Sequence, residues 1–228
     1  MEQRKIPPFP GERNTETAAQ ENNEKLIPIQ KELPHSFVCA PAYFEQGLPG
    51  ALREMYIREG ALERLLKASR ALPAGWRFKL WDIWRPVRLQ QAIFDRYAAE
   101  LAARQPALSE QELFLQASKF VYPPGRDALF PPLHATGGAV DLTIVDENGC
   151  ELDMGTAFDY FGREAAPEFY EGDGQSEEIR QNRRLLYYSM IDAGFVPDSV
   201  EWWHFNYGNS AWAKWKGCAP IYGGIFSL

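Results

Sequence analysis

His134 and Asp141 stand seven positions apart with Gly137-Gly138 between them, and His204 follows Glu201 by three. Two imidazoles and one carboxylate make up the protein's share of an open zinc site, whose fourth position is left to water or substrate. The second carboxylate, Glu201, exceeds what such a metal needs and could serve as a base; the chemistry is then metal-assisted hydrolysis. A glycine turn lets residues seven apart converge, because no Cβ obstructs the bend. Asp141 interrupts the apolar run Val140, Leu142, Ile144, where a lone carboxylate is costly unless paired or bound to metal. Spacing alone leaves a second reading open, in which these are satisfied core histidines; His35 is assigned to that ordinary class. Glu201 and His204 carry a condition of their own. Positions three apart on a regular strand face opposite sides, so a bend must lie between them if both are to reach one metal. Without it, Glu201-Trp202-Trp203-His204 is a strand with two core tryptophans and polar ends. Arg85, between Trp84 and Pro86, either points a guanidinium into a cleft or forms a structural ion pair with Asp82.

The elements that must position these groups follow from periodicity and punctuation. Ala61 to Ala71 has the spacing of an amphipathic helix, with Leu62, Leu65, Leu66 and Ala68 inward, stopped by Pro73 and Gly75. Trp76 to Trp84 alternates as a strand, and Asp82 falls on its otherwise apolar face. Pro86 suits the first turn of a helix to about Arg104, with Leu89, Ile93, Tyr97 and Leu101 on one stripe. Ser109 and Glu112 fit a capping box opening a helix to about Phe120. Tyr122 to Leu133, rich in proline, is an irregular segment leading into His134, and Trp84, Tyr122 and Trp203 are aromatics that could close a pocket. Ala139 to Val145 is a strand, Asp146 to Gly149 a hairpin turn, and Cys150 to Met154 its expected return. Phe158 to Gly174 is loop-like. Ser176 caps a helix to Ala193, with Ile179, Leu186, Tyr187 and Met190 buried and Gly194 ending it. Phe195–Val196 and Val200 to Tyr207 are β-like. Helices clustered around a meander of strands give the α+β pattern, with a mostly antiparallel central sheet.

At 228 residues the chain is long enough to bury a sizeable core without staples. A net charge of −7 and the lack of any Lys/Arg run argue against nucleic acid or an anionic membrane as partner. Cys39, Cys150 and Cys218 are far apart and form no C-x-x-C pair, so neither a cysteine zinc site nor a disulfide framework is expected. Met1 to Gln20 is polar, without the apolar region of a signal peptide, and no apolar run approaches a spanning helix. A cytoplasmic protein is expected. Residues 1–30, rich in Pro, Glu, Gln and Asn, form a loose N-terminal arm, and residues 31–228 a single domain.

Several motifs occur in a recognisable order: Trp81-Asp82-Ile83-Trp84-Arg85-Pro86, His134-x-x-Gly-x-Ala-x-Asp141, Met154-Gly155-Thr156-Ala157-Phe158-Asp159, Asn182-Arg183-Arg184 and Glu201-Trp202-Trp203-His204. In this the chain resembles the D-alanyl-D-alanine dipeptidases, the VanX-type family, over about residues 35–210. The His-to-Asp element is shared with related D,D-carboxypeptidases; the Glu201-to-His204 motif together with the Trp81-to-Pro86 and Met154-to-Asp159 motifs is more specific. The resemblance implies that His134, Asp141 and His204 hold one Zn²⁺ per chain, that Glu201 is the catalytic base, that Arg85 stabilises the transition state, and that Asp159 helps to hold the substrate's amino end. It implies zinc-dependent hydrolysis of the D-alanyl-D-alanine dipeptide. The alternatives are a D,D-carboxypeptidase or another cell-wall peptidase and, more remotely, a non-catalytic zinc-binding module. Pro132 stands where the family usually has Ser, two residues before the first zinc histidine. It has no hydroxyl and no N–H, which bears on substrate preference.

Overall fold

The computed structural model describes residues 4–11, 17–118 and 121–228. Among the described residues two sheets are present. A ribbon pairs β1 (Leu26–Pro28) antiparallel with β3 (Tyr56–Arg58). The main sheet contains β2 (Val38–Cys39), β4 (Arg77–Asp82), β5 (Ala139–Val145), β6 (Val196–Pro197) and β7 (His204–Asn206), in the order β2-β4-β5-β7-β6. Among the described residues only the β2–β4 pair is parallel, so the expected α+β class with a mostly antiparallel sheet is what the chain adopts. The helices are α1 (Ile29–Glu32), α2 (Ala42–Glu45), α3 (Glu59–Ser69), α4 (Val87–Arg104), α5 (Glu110–Ala117), α6 (Glu177–Ala193) and α7 (Ser210–Lys216).

Most long elements arise where local signals are strong. β5 is apolar almost throughout and buried along its whole length, as a central strand must be. Ser109 and Glu112 cap α5 reciprocally; Phe120, the expected end of this helix, lies outside the described residues. The Ser176 hydroxyl accepts from the Ile179 amide at the start of α6, and Gly194 ends that helix at φ +111°. Helices α3 and α6 pack together over the sheet, burying Leu65, Leu186 and Met190 with Phe78, Leu80, Leu142, Ile144 and Phe205. Each such side chain contributes about 1.5–3 kcal/mol relative to exposure. A second cluster joins Leu89, Ile93, Phe94 and Tyr97 of α4 to Tyr43, Ala117 and Val121.

Some elements differ from the sequence reading. β4 ends at Asp82, and its pairing with β5 shifts register between Leu80 and Asp82, which breaks the simple alternation. The expected return strand after Asp146–Gly149 shrinks to one bridge, Val145 to Glu151. Residues 158–174 hold two short 3-10 turns, Arg163–Ala165 and Phe169–Glu171. The N-terminal arm, whose packing the sequence leaves open, packs on the body in its described parts: Ile6 and Ala19 are buried, the Phe9 ring meets Trp215 in a tilted contact, and β1 is part of a sheet.

Candidate active site

The main sheet lines up three polar residues in a row. Asp82 of β4 is the cross-strand partner of Asp141 of β5, and Asp141 is the partner of His204 of β7. Cross-strand partners share a face, so this register alone brings their side chains together. His134 joins the row from a 3-10 turn, Leu133–Thr136, that precedes β5. The Gly137-Gly138 corner makes this approach possible. Gly137 has φ +72°, and a Cβ on Gly138 would collide with the Tyr207 carbonyl and the Tyr222 ring.

Ligand atoms of His134, Asp141 and His204 lie within 4.8 Å of one another, and all three residues are buried. The outer ring nitrogens settle the tautomers. His134 Nδ1 donates to the Ile83 carbonyl at 2.7 Å, and His204 Nε2 donates to Asn206 Oδ1 at 3.0 Å. The bare nitrogens, His134 Nε2 and His204 Nδ1, therefore face each other at 3.2 Å. Asp141 closes the group, with Oδ1 2.9 Å from His204 and Oδ2 3.3 Å from His134. Three lone-pair donors converging in a dry site need a cation between them, either a proton or a metal ion. In the metal-free state burial opposes the imidazolium, but the charge and hydrogen bond of Asp141 prevail and push His204 up to about 9. Burial likewise disfavours the Asp141 carboxylate, yet both imidazoles hold its pKa well below the usual range.

Glu201 stands beside this trio. Its Oε2 is 3.9 Å from His204 Nδ1, and its side chain is 26% exposed. The required bend is present: β7 begins only at His204, and the His204 amide donates back to the Glu201 carbonyl at 3.2 Å. Asp198 holds the turn by accepting from the Val200 and Glu201 amides at 2.7 and 3.2 Å. Burial, then the Asp198 charge, pushes the Glu201 carboxyl well above its ordinary value, against the pull of His204.

Arg85 realises both of its sequence readings. Nε donates to Asp82 Oδ2 at 2.8 Å, while Nη2 faces Asp141 Oδ2 at 3.8 Å on the wall of the cleft. Its Nη1 donates to Gln90 at 2.9 Å, and Gln90 donates to the Tyr122 carbonyl at 2.6 Å. Asp159 lies across the cleft at φ +60°. It accepts from the Tyr43 hydroxyl at 3.2 Å and stands 3.7 Å from Arg96. Burial and the nearby Asp141 charge push it up to about 6, against Arg85, Tyr43 and Arg96.

All six residues border one cavity of about 440 Å³, which Tyr122, Pro132 and Trp203 also line. Trp84 does not belong to it: its indole donates to the Ile225 carbonyl at 3.0 Å, and its ring packs edge-on to Tyr56. Asn206 and Gln90 were not singled out by sequence. Both left a trace there, since Asn206 sits two residues from His204 on one strand face and Gln90 is a polar group beside a buried helix stripe. Arg183, from the Asn-Arg-Arg motif, donates to the Met154, Ala166 and Glu164 carbonyls at 2.8, 2.6 and 2.8 Å. It thereby staples both ends of the loop that carries Asp159.

With this geometry in place, residues 37–219 match the family described as D-ala-D-ala dipeptidase. The chain belongs to that family. A D-alanyl-D-alanine dipeptidase of Synechocystis sp. is 33% identical over 213 residues, covering 85% of this chain and 86% of the relative. A D-alanyl-D-alanine dipeptidase of Enterococcus faecium is 30% identical over 145 residues, covering 63% of this chain and 68% of the relative. Among solved structures, VanYB in complex with D-Alanine-D-Alanine aligns with 86% of this chain and 93% of its own at 20% identity and a TM-score of 0.45, too remote to inform the site. As a member of this dipeptidase family the chain is a peptidase. Among the described residues no helix is long and apolar enough to cross a membrane.

Proposed function

We propose that this peptidase hydrolyses the D-alanyl-D-alanine dipeptide with one zinc ion held by His134, Asp141 and His204. The observation that carries the proposal is the convergence of two bare imidazole nitrogens and a carboxylate, with a further carboxylate, Glu201, beside them. Two nitrogens and one oxygen, with one position left open, suit zinc in a catalytic rather than a structural role. When bound, zinc supplies Lewis acidity towards water and the scissile carbonyl. Glu201 takes a proton from the attacking water and returns it to the leaving amine. A cation beside Glu201 draws its raised pKa back down, so that it can act as base near neutrality. Arg85, held by Asp82 and Gln90, turns its remaining N–H groups towards the oxyanion of the tetrahedral intermediate. Asp159 pairs with the substrate ammonium.

A second reading, D,D-carboxypeptidase, is favoured by one observation. A groove of about 460 Å³ shares Arg96, Glu100, Asp159 and Phe161 with the main cavity, and so continues beyond the amino-end residue. The two readings separate when the zinc-loaded protein is offered D-Ala-D-Ala and N-acetyl-D-Ala-D-Ala side by side. Cleavage of the free dipeptide alone, abolished by a chelator and restored by zinc, is expected. Preferential cleavage of the blocked peptide would transfer the activity to the carboxypeptidase reading.

A further inference from the structure

The turn that presents His134 is gripped from behind by residues that take no part in the chemistry. The Ala135 carbonyl accepts from the Ile225 amide at 2.8 Å. The Thr136 carbonyl accepts from Arg58 Nε at 2.9 Å, and the Gly137 carbonyl from the Arg58 amide at 3.0 Å. Arg58, at the end of β3, is only 1% exposed. The rest of its guanidinium reaches both ends of the chain. Nη1 donates to Glu21 Oε1 at 2.8 Å and to the Glu24 carbonyl at 2.5 Å; Nη2 donates to Glu21 Oε2 at 2.7 Å and to the Gly223 carbonyl at 3.4 Å. The two ends are also tied to each other. Glu21 accepts from the Gly223 amide at 2.7 Å, and Glu24 accepts from the Tyr222 hydroxyl at 2.6 Å and from the Gly60 amide at 2.8 Å. Leu26 of β1 lies against Gly137, close enough that a Cβ there would meet it at 2.6 Å.

Glu21, Glu24, Leu26, Tyr222, Gly223 and Ile225 all lie outside the matched family range of 37–219. We infer that in this chain the two termini form a brace for the metal site, with Arg58 as the positioning residue that transmits it to His134. Arg58 acts through main-chain carbonyls two and three residues beyond the ligand. A bidentate arginine–carboxylate pair whose guanidinium is buried while its carboxylate is partly exposed has the directional stiffness for this role, which a single-point cation lacks. The arm, which has no counterpart in the motifs, therefore contributes to metal affinity.

The inference rests on the metal site proposed above, and its test is the zinc dissociation constant, measured by chelator competition at fixed pH. Wild type is compared with Glu21→Gln, Arg58→Lys and the double variant, with circular dichroism and the thermal midpoint of the metal-free proteins in parallel. Glu21 is partly exposed and glutamine keeps its shape, so this variant folds even if Arg58→Lys does not. Removing outer-shell support is expected to weaken zinc binding by about tenfold in each single variant. The double variant should be no worse than Arg58→Lys alone, because both act along one path. A dissociation constant within about twofold of wild type in folded Glu21→Gln overturns the brace, whatever happens to the thermal midpoint. Failure of wild type itself to bind zinc would instead count against the metal site.

Discussion

The metal donors and Asp159 face the same cavity, yet they are held in opposite ways. His134, Asp141 and His204 are buried, two of them directly on neighbouring strands, and the outer nitrogen of each imidazole is already engaged by Ile83 or Asn206. Asp159 sits on a loop in a left-handed conformation, its side chain 25% exposed, held by one hydroxyl and a distant arginine. The reactive centre is thus built on elements that allow little displacement, while amino-end recognition rests on a loop that can vary without disturbing the metal. The loop is not unsupported, since Arg183 fixes its ends; its freedom lies between those anchors.

If that division is right, substitutions at the sheet end should strike turnover or metal, and those on the loop should strike substrate affinity. Glu201→Ala is expected to keep zinc and to lose about 10²–10⁴ in kcat. Near wild-type turnover would remove Glu201 from the chemistry. Arg85→Lys should lower kcat by about 10²–10³, because a point charge does not reproduce the planar fork that engages Asp82, Gln90 and the cleft at once. A change in thermal stability alone would reduce Arg85 to an ion-pair partner.

Zinc affinity should also depend on pH in a definite direction. In the metal-free protein His204 keeps a proton up to about 9, so zinc must displace it. The dissociation constant, measured by chelator competition, should tighten by about tenfold per pH unit between about pH 7 and 8.5 and level off above about 9. A flat profile would mean that no proton is held among the donors. The same raised pKa stabilises the metal-free fold fully below the ordinary histidine value, and this contribution is lost as pH rises through about 9.

The smallest effects belong to Asp159. Asp159→Asn should raise KM for the dipeptide by about tenfold, the value of one charge-assisted contact, and leave zinc content unchanged. Its pKa, raised to about 6, means that the folded state favours the neutral acid, so the carboxylate costs stability as pH rises from about 4 through 6. The metal-free variant should therefore be more stable than wild type at pH 8, by on the order of 1 kcal/mol after allowing for partial exposure, with no gain at pH 3.5. Denaturant unfolding at both values checks this, and an equal gain at both would point to a cause other than charge.

What could be read in advance was what the chain encodes locally. β5 announced itself by a largely apolar run around Asp141, and α5 and α6 by their serine caps. The bend between Glu201 and His204 was required by geometry before it was seen, because two groups three apart cannot otherwise meet one ion. The rest depends on partners distant in sequence. Trp202 and Trp203 look like strand residues, but their main-chain bonds go to Ala165 and Leu142. Trp84 carries an aromatic ring that suits a pocket wall, yet its indole N–H finds the Ile225 carbonyl near the C-terminus. Glu21 and Glu24 look like solvated charges until partners distant in sequence are placed beside them: Arg58 for the Glu21 carboxylate, the Tyr222 hydroxyl and Gly60 amide for that of Glu24.

The central claim is that His134, Asp141 and His204 together hold one metal ion. Its most direct test is zinc content after dialysis of wild type, His134→Ala and His204→Ala, each confirmed as folded. About one zinc per wild-type chain is expected and a marked loss in both variants, since two remaining ligands fall short of the three that a catalytic zinc site requires. Unchanged stoichiometry in the two variants would contradict it.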